Sequence, residues 1–264
     1  MTNLQFTNPL RRKLHDNQPA YGLWVTLGDA TVTEIAADAG VDWIVVDMEH
    51  GPLENRDLLG HLRAANGSDL AVIARLPSLS VEGIKRALDT GAHGVILPMI
   101  RGAKDVRTAF DFSRYPPVGQ RGIGGERATR WGSALEAYVG VADVETMVIP
   151  MIETADAADD IMDILAVPGL EAIFIGSADL SQSRGHRGHW EGPGIAEEIS
   201  RIVGLAADKG IVSGVIARGP HDVDRRVQQG FRMIAVGTDT GMIARTLRDQ
   251  LKGRGRRAVV EGLY

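Results

Sequence analysis

Short polar clusters interrupt an otherwise apolar chain, and each follows directly on a β-branched run. They are Asp47-Met48-Glu49-His50-Gly51-Pro52, Arg75-Leu76-Pro77, Met151-Ile152-Glu153-Thr154, Ser177-Ala178-Asp179-Leu180 and Gly237-Thr238-Asp239. Glu153 and Asp179 are carboxylates without a His or Cys beside them. All-oxygen donors of this kind suit a hard divalent cation such as Mg²⁺ or Mn²⁺. The structural alternative is that each caps a helix start and offsets its dipole. Arg75 ends an apolar run, where a guanidinium can grip a carboxylate through two parallel hydrogen bonds. Its alternative is an ion pair with Asp47 or Glu49. His50 is an imidazole, the side-chain type most often used for proton transfer, although a lone His in a turn is often structural. Asp89 ends a helical pattern on the opposite side. Within one subunit it reads as a cap or a solvated residue, and across a subunit interface it could reach a rim.

The elements that must position these groups follow from hydrophobic periodicity. Apolar runs bounded by turn signals predict strands at Tyr21–Leu27, Trp43–Val46, Ala71–Ala74, Gly94–Leu97, Thr146–Ile152, Ala172–Ile175, Ile211–Ile216 and Met233–Val236. Short continuous runs of this type mark strands covered on both faces, as in a parallel sheet. Helical spacing between them predicts helices at Thr31–Ala39, Leu53–Ala65, Val81–Asp89, Lys104–Ser113, Ala155–Leu165, Ile195–Asp208, Asp222–Gln229 and Thr240–Leu251, with Gly40, Gly91, Gly210 and Gly230 just past helix ends. Repeated strand–helix alternation in 264 residues points to a single (β/α)8 barrel over residues 1–264. A doubly wound open sheet is the runner-up, but Gly28-Asp29-Ala30 lacks the glycine fingerprint of its dinucleotide-binding version. In a barrel the chemistry sits at the C-terminal strand ends, so the polar clusters share one rim. Tyr115–Trp131 and Ser177–Pro193 read as long loops, which on a barrel are usually functional.

A net charge of −5 argues against general nucleic-acid binding. The basic stretch Lys252–Arg257 reads as a solvated tail. The absence of cysteine excludes disulfides, thiolate nucleophiles and Cys-ligated zinc. Met1–Gln18 has no apolar core segment and no run is long enough to cross a bilayer, so a cytoplasmic protein without a membrane partner is the expectation. Of the histidines, His15, His61 and His221 read as surface positions. His93 begins the fourth strand at the end away from chemistry, and His186/His189 form a weak H-x-x-H pair beside Trp190.

With these residues in view, the chain resembles the HpcH/HpaI aldolases, which are class II pyruvate-type aldolases. The resemblance rests on Gly22-Leu23-Trp24, Ala37–Pro52, Ile84–Met99, Arg114–Gly125, Ile152-Glu153, Phe174–Gly185 and Val236–Asp239, and covers roughly residues 20 to 250. It implies that Glu153 and Asp179 ligate a divalent metal (Mg²⁺, Mn²⁺ or Co²⁺) and that Arg75 binds pyruvate near its carbonyl and carboxylate. His50 would be the acid/base, supported by Asp47 and paired with Asp89 of a neighbouring subunit. Backbone N–H groups around Gly176, Ser177 and Ala178 would hold the carboxylate, Trp24 and Ile216 would line the pocket, and Arg121 would face the aldehyde. A homo-hexamer built as a trimer of dimers, with the last helix exchanged between subunits, is also implied. The chain departs from the family pattern at Met151 (usually Gln), Ser177 (usually Pro), His93 (usually Gln) and Arg184 (usually apolar). The expected reaction is reversible cleavage of a 4-hydroxy-2-oxo acid to pyruvate, or a close 2-oxo acid, and an aldehyde. No Schiff-base lysine is expected, since Lys85 falls on a helix. A citramalyl-CoA or malyl-CoA type lyase is the alternative, with the Arg127–Arg130 region as a possible cradle for CoA phosphates. A non-catalytic sensor barrel is the third reading.

Overall fold

The computed structural model describes residues 6–252 and 254. The basic stretch beyond Lys252 therefore lies outside the described residues except for Arg254. The elements run α1 (Pro9–His15), β1 (Ala20–Val25), α2 (Thr31–Asp38), β2 (Trp43–Asp47), α3 (Asn55–Ala64), β3 (Ala71–Arg75), α4 (Val81–Thr90), β4 (Gly94–Leu97) and α5 (Ala103–Ser113). A 3₁₀ turn at Arg127–Thr129 precedes α6 (Leu135–Glu145), β5 (Met147–Ile152), α7 (Ala155–Asp159), α8 (Ile161–Ile164), β6 (Ala172–Ile175) and α9 (Ser177–Ser183). The chain continues through α10 (Ile195–Asp208), β7 (Val212–Ile216), α11 (Pro220–Gln228), β8 (Met233–Thr238) and α12 (Asp239–Leu251). The strands pair in parallel and in chain order, and β8 closes onto β1, so the expected barrel is what forms.

Alternation along the strands sorts their side chains into two cores. Trp24, Trp43, Val45, Ile73, Ile149, Met151, Phe174 and Met233 fill the barrel. Ile44, Val46, Val72, Ala74 and Val95 face outward against the helices. The expected burial on both faces holds, with β2, β3, β4, β5 and β6 buried throughout. Phe174, fully buried, contributes roughly 1.5–3 kcal/mol by leaving water. This phase points Asp47 and Arg75, the last residues of β2 and β3, inward at the top of the interior, and continued one residue past β5 and β6 it does the same for Glu153 and Gly176. The β1–β8 register slips between Gly22 and Trp24, an irregularity of the kind found beside active sites that re-aims a side chain.

Several expectations need correction. The predicted helix over 155–165 is two short helices, because Asp160 leaves helical geometry while its carboxylate accepts the Ala103 N–H at 2.7 Å. The stretch 177–193 is not all loop, since α9 occupies its first part. α9 shows little apolar signal, burying Ser177, Leu180 and Ser181. α6 lies in a segment the strand and helix readings passed over. It buries only Ala142 and leaves Val141 and Val144 exposed, so it has no inward apolar stripe to detect. α1, capped by Asn8 and started by Pro9, plugs the barrel floor with Leu10 and Leu14. No helix among the described residues is long and apolar enough to cross a membrane.

Candidate active site

The rim cavity holds about 390 Å³. Trp24, Thr26, Asp47, His50 and Arg75 form one side, and Gly176, Ser177, Ala178, Asp179 and Ile216 face them. Met151, Phe174 and Ile175 make an apolar floor, while Trp190, Thr238 and Thr240 also line the space. Cluster residues expected from sequence at strand ends β2, β3, β6 and β8 therefore do converge.

Asp47 organises the first side. It is buried and accepts Arg75 Nε at 2.9 Å, Arg75 Nη2 at 2.5 Å and the Trp24 indole N–H at 3.1 Å. Its Oδ1 also accepts the backbone N–H groups of Glu49 (3.1 Å) and His50 (3.2 Å), which folds the chain into a turn after β2. Gly51 completes that turn, since a Cβ there would lie 2.5 Å from the Asp47 carbonyl oxygen. The support for the His50 loop expected of Asp47 is thus present as geometry. Burial would push the Asp47 carboxyl up, but the Arg75 bonds and the donated N–H groups outweigh it and hold it below the usual range.

Arg75 departs from the simple expectation. Its two-pronged grip falls on Asp47, and Nη1 reaches Glu49 at 2.9 Å, so the ion-pair alternative is realised. A guanidinium has five N–H groups; Asp47 takes two, and the Nη1 contact with Glu49 is an ion pair without a hydrogen bond, so Nη1 and one N–H of Nη2 remain for a ligand. The Arg75 guanidinium also stacks over Trp24 at 4.8 Å. His50 stands at the cavity edge with its side chain 63% exposed and Nε2 3.8 Å from Glu49. Burial pushes the Glu49 carboxyl up against the opposing pull of Arg75.

Glu153 sits behind the cavity wall rather than on it. It is buried, and Oε1 accepts the Met99 N–H at 2.6 Å. Met99, which sequence reasoning missed, presents that N–H from a strained backbone with φ 53° just past β4. Pro98-Met99 at a strand end was the available signal. Gly176 is required beside Glu153, because a Cβ would lie 2.6 Å from both Cβ and Oε2 of the glutamate. Burial, with Asp179 and Glu49 nearby, pushes the Glu153 carboxyl up to about 7. A cation would relieve this crowding of negative charge, and the oxygen-only donors match Mg²⁺ or Mn²⁺. Among the described residues no group of three or more His, Cys, Asp or Glu side chains is gathered as a ligand set. The H-x-x-H pair likewise forms no metal group.

Arg121 and Asp89 do not reach this cavity within the chain. Arg121 Nη2 bonds Asp89 Oδ1 at 2.9 Å, and its guanidinium lies over the rings of Tyr115 and Tyr138. Asp89 is on the last turn of α4, at the floor end of the barrel, as expected. Arg127 is also on the floor side, donating to the carbonyls of Thr90 and Leu62, so it supplies no phosphate cradle beside the rim. Arg184 ties α9 to Asp159 and Glu198 and so is a strut rather than a pocket residue. His61 corrects its surface reading, being fully buried with Nδ1 2.7 Å from Thr33 Oγ1. Lys85 is exposed on α4. Thr238, in the cluster read at the end of β8, lines the cavity as expected, whereas Trp190, Thr26 and Thr240 are lining residues that sequence reasoning missed. The threonines flank the ends of β1 and β8, which was a usable signal, whereas Trp190 arrives from a loop that carries none. The Asp239 carboxylate helps place them, since it accepts the Thr26 and Leu27 N–H groups at 2.9–3.1 Å.

The family model described as HpcH/HpaI aldolase/citrate lyase matches residues 20–246. The chain belongs to the HpcH/HpaI aldolase/citrate lyase family. A hydroxypyruvate/pyruvate aldolase from Paraburkholderia phytofirmans is 34% identical over 254 residues, covering 94% of this chain and 97% of its own. A 4-hydroxy-2-oxovalerate aldolase from Novosphingobium aromaticivorans is 34% identical, covering 97% of each. Among solved structures, a family protein from Burkholderia cenocepacia superposes with TM-score 0.90 at 33% identity, over 95% of this chain and 100% of its own. The resemblance read from the motifs is therefore correct, and the two curated relatives are named as aldolases, which are carbon–carbon lyases by class.

Proposed function

We propose that the chain is a divalent-metal-dependent aldolase that reversibly cleaves 4-hydroxy-2-oxo acids to pyruvate, or a close 2-oxo acid, and an aldehyde. The observation that carries this reading is the meeting, at one small cavity, of Arg75, His50 and Asp179 with the buried Glu153 directly behind Gly176. Glu153 and Asp179 would hold the cation. When bound, such a cation stabilises the oxyanion that develops as a proton leaves the carbon beside a ketone.

The chain's own residues supply the rest. Arg75, pinned by Asp47 and stacked on Trp24, presents its remaining N–H groups in a fixed direction to the keto acid. The first-turn N–H groups of Ser177 and Ala178 lack intrahelical partners and are available to its carboxylate. His50 stands at the mouth, where its imidazole can take or return a proton at the substrate's C3 or at the acceptor's oxygen. Asp47 is a positioning residue, since it holds the His50 turn and Arg75 together. Trp24, Phe174 and Ile216 exclude water and so strengthen these electrostatic contacts. We assign the physiological form as a homo-hexamer in which Asp89 and Arg121 of one subunit approach the His50 side of another, with α12 exchanged.

The test is pyruvate release from a panel of 4-hydroxy-2-oxo acids, first with EDTA and then with Mg²⁺, Mn²⁺ or Co²⁺ restored. Release that chelation abolishes and metal restores is the expected result. No release from any member, together with cleavage of citramalyl-CoA or malyl-CoA, overturns it in favour of an acyl-CoA lyase.

A further inference from the structure

A second cavity, of about 830 Å³, opens at the floor end of the barrel, lined by parts of α1, α3, the 3₁₀ turn and α6. Four arginines line it, Arg12, Arg63, Arg127 and Arg130, against two carboxylates, Asp69 and Glu145. Among the described residues none of the four arginines is ion-paired with a carboxylate. Glu145 is engaged elsewhere, its Oε2 accepting the Asn8 N–H at 2.7 Å.

Arg127 is built into the wall. It donates to the carbonyls of Leu62 and Thr90, both at 3.1 Å, and so caps the ends of α3 and α4. Gly91 makes room for it, with a left-handed φ of 105° and a position where a Cβ would lie 2.7 Å from Arg127 Nη1. Helix-end carbonyls carry only a partial charge. Burial and the like charge of Arg63 lower the Arg127 pKa, which is the condition of a cation short of counter-charge.

His93 adds a donor whose tautomer the backbone fixes. Its Nδ1 accepts the Val72 N–H at 3.1 Å. A backbone amide can only donate, so the neutral ring carries its proton on Nε2. Burial and the Arg127 charge hold the ring neutral. Nε2 has no partner among the described residues, and His93 lines the cavity.

Unpaired guanidinium groups from α1, α3 and the turn, joined by an imidazole N–H, suit a group with several acceptor oxygens and more than one charge. Phosphate has both, and guanidinium forks match its oxygens. We propose that the floor cavity is a binding site for a phosphate group, free or carried by a small organic ligand. The site does not depend on the aldolase reading.

The test is calorimetric titration of the intact, assembled protein with inorganic phosphate and with AMP at fixed ionic strength, with and without saturating pyruvate and Mg²⁺. Wild type is compared with Arg63→Ala and Arg130→Ala, whose side chains make no hydrogen bond to a described residue. Arg107→Ala, exposed on α5, loses the same charge away from the cavity. The expected result is saturable binding that weakens about tenfold in each floor variant, the size of one lost charge-assisted hydrogen bond, and that neither Arg107→Ala nor pyruvate changes. Tighter binding of AMP identifies an organic phosphate as the ligand, and tighter binding of phosphate identifies the free ion. No saturable binding, floor variants that bind like wild type, equal weakening in all three variants, or displacement by pyruvate overturns the proposal.

Discussion

Replacing Asp47 by Ala removes the partner of a cation that has almost no access to water. Asp47 and Arg75 are 1% and 6% exposed, joined by bonds of 2.9 and 2.5 Å. Truncating one member of a buried pair costs about 3–5 kcal/mol, because the other charge is left uncompensated. Glu49 at 2.9 Å retains part of that compensation, which favours the lower end. At about 2–4 °C per kcal/mol for a chain of this size, Tm should fall by roughly 6–20 °C. The informative comparison is a cycle with Arg75→Met. The double variant removes both members of the Asp47–Arg75 pair and leaves only the partly exposed Glu49 without its cation, so it should be more stable than the summed single losses by about 1–3 kcal/mol. Urea denaturation of metal-free protein at one fixed subunit concentration measures all four forms. The pH dependence supplies an internal check. The Asp47 carboxyl is held below its usual range in the folded state, so its contribution is complete above pH ~4 and is lost as pH falls below that. Wild type and Asp47→Ala should therefore converge in strong acid. Strict additivity in the cycle, or a constant gap down to pH 3, would show that the pair does not hold this side of the cavity.

Other perturbations follow from single contacts. Gly176→Ala places a Cβ 2.6 Å from Glu153, so metal-restored turnover should drop at least a hundredfold, by roughly the effect of a 1 Å misplacement; normal turnover in a folded variant would refute the close packing. Arg184→Ala should leave kcat/KM unchanged and cost at most about 1 kcal/mol, because its partners Asp159 and Glu198 are at the surface end of α9; a changed substrate preference in a steady-state assay would count against the strut role. Burial lowers the His61 pKa, so the unfolded chain takes up the proton first as pH drops. Its contribution is complete above pH ~6.5 and declines below it, so thermal melts from pH 7.5 to 5.5 should show a shallower fall for His61→Asn than for wild type; parallel slopes would contradict a neutral buried His61.

The alternating strand and helix signals, and the placement of Asp47, His50, Arg75 and Asp179 just past strand ends, could be read along the chain because both depend on local periodicity. A strand buried on both faces must be continuously apolar, and the first polar residue beyond it falls on the rim. Tertiary structure alone decided which polar groups met. Arg75 has one fork, and only the adjacency of β2 and β3 gave that fork to Asp47 and Glu49. His61 looks like any helix-surface histidine until α2 brings Thr33 against it. α6 has no apolar face to recognise, and the break at Asp160 depends on the start of α5. The floor cavity shows the same limit most clearly. Arg12, Arg63, His93 and Arg127 are ordinary in sequence and far apart, and they line one cavity only because distant elements close around it. Hydrogen bonds and ion pairs require angstrom-scale proximity between residues far apart in the chain, and no pattern of neighbours along a sequence encodes that distance.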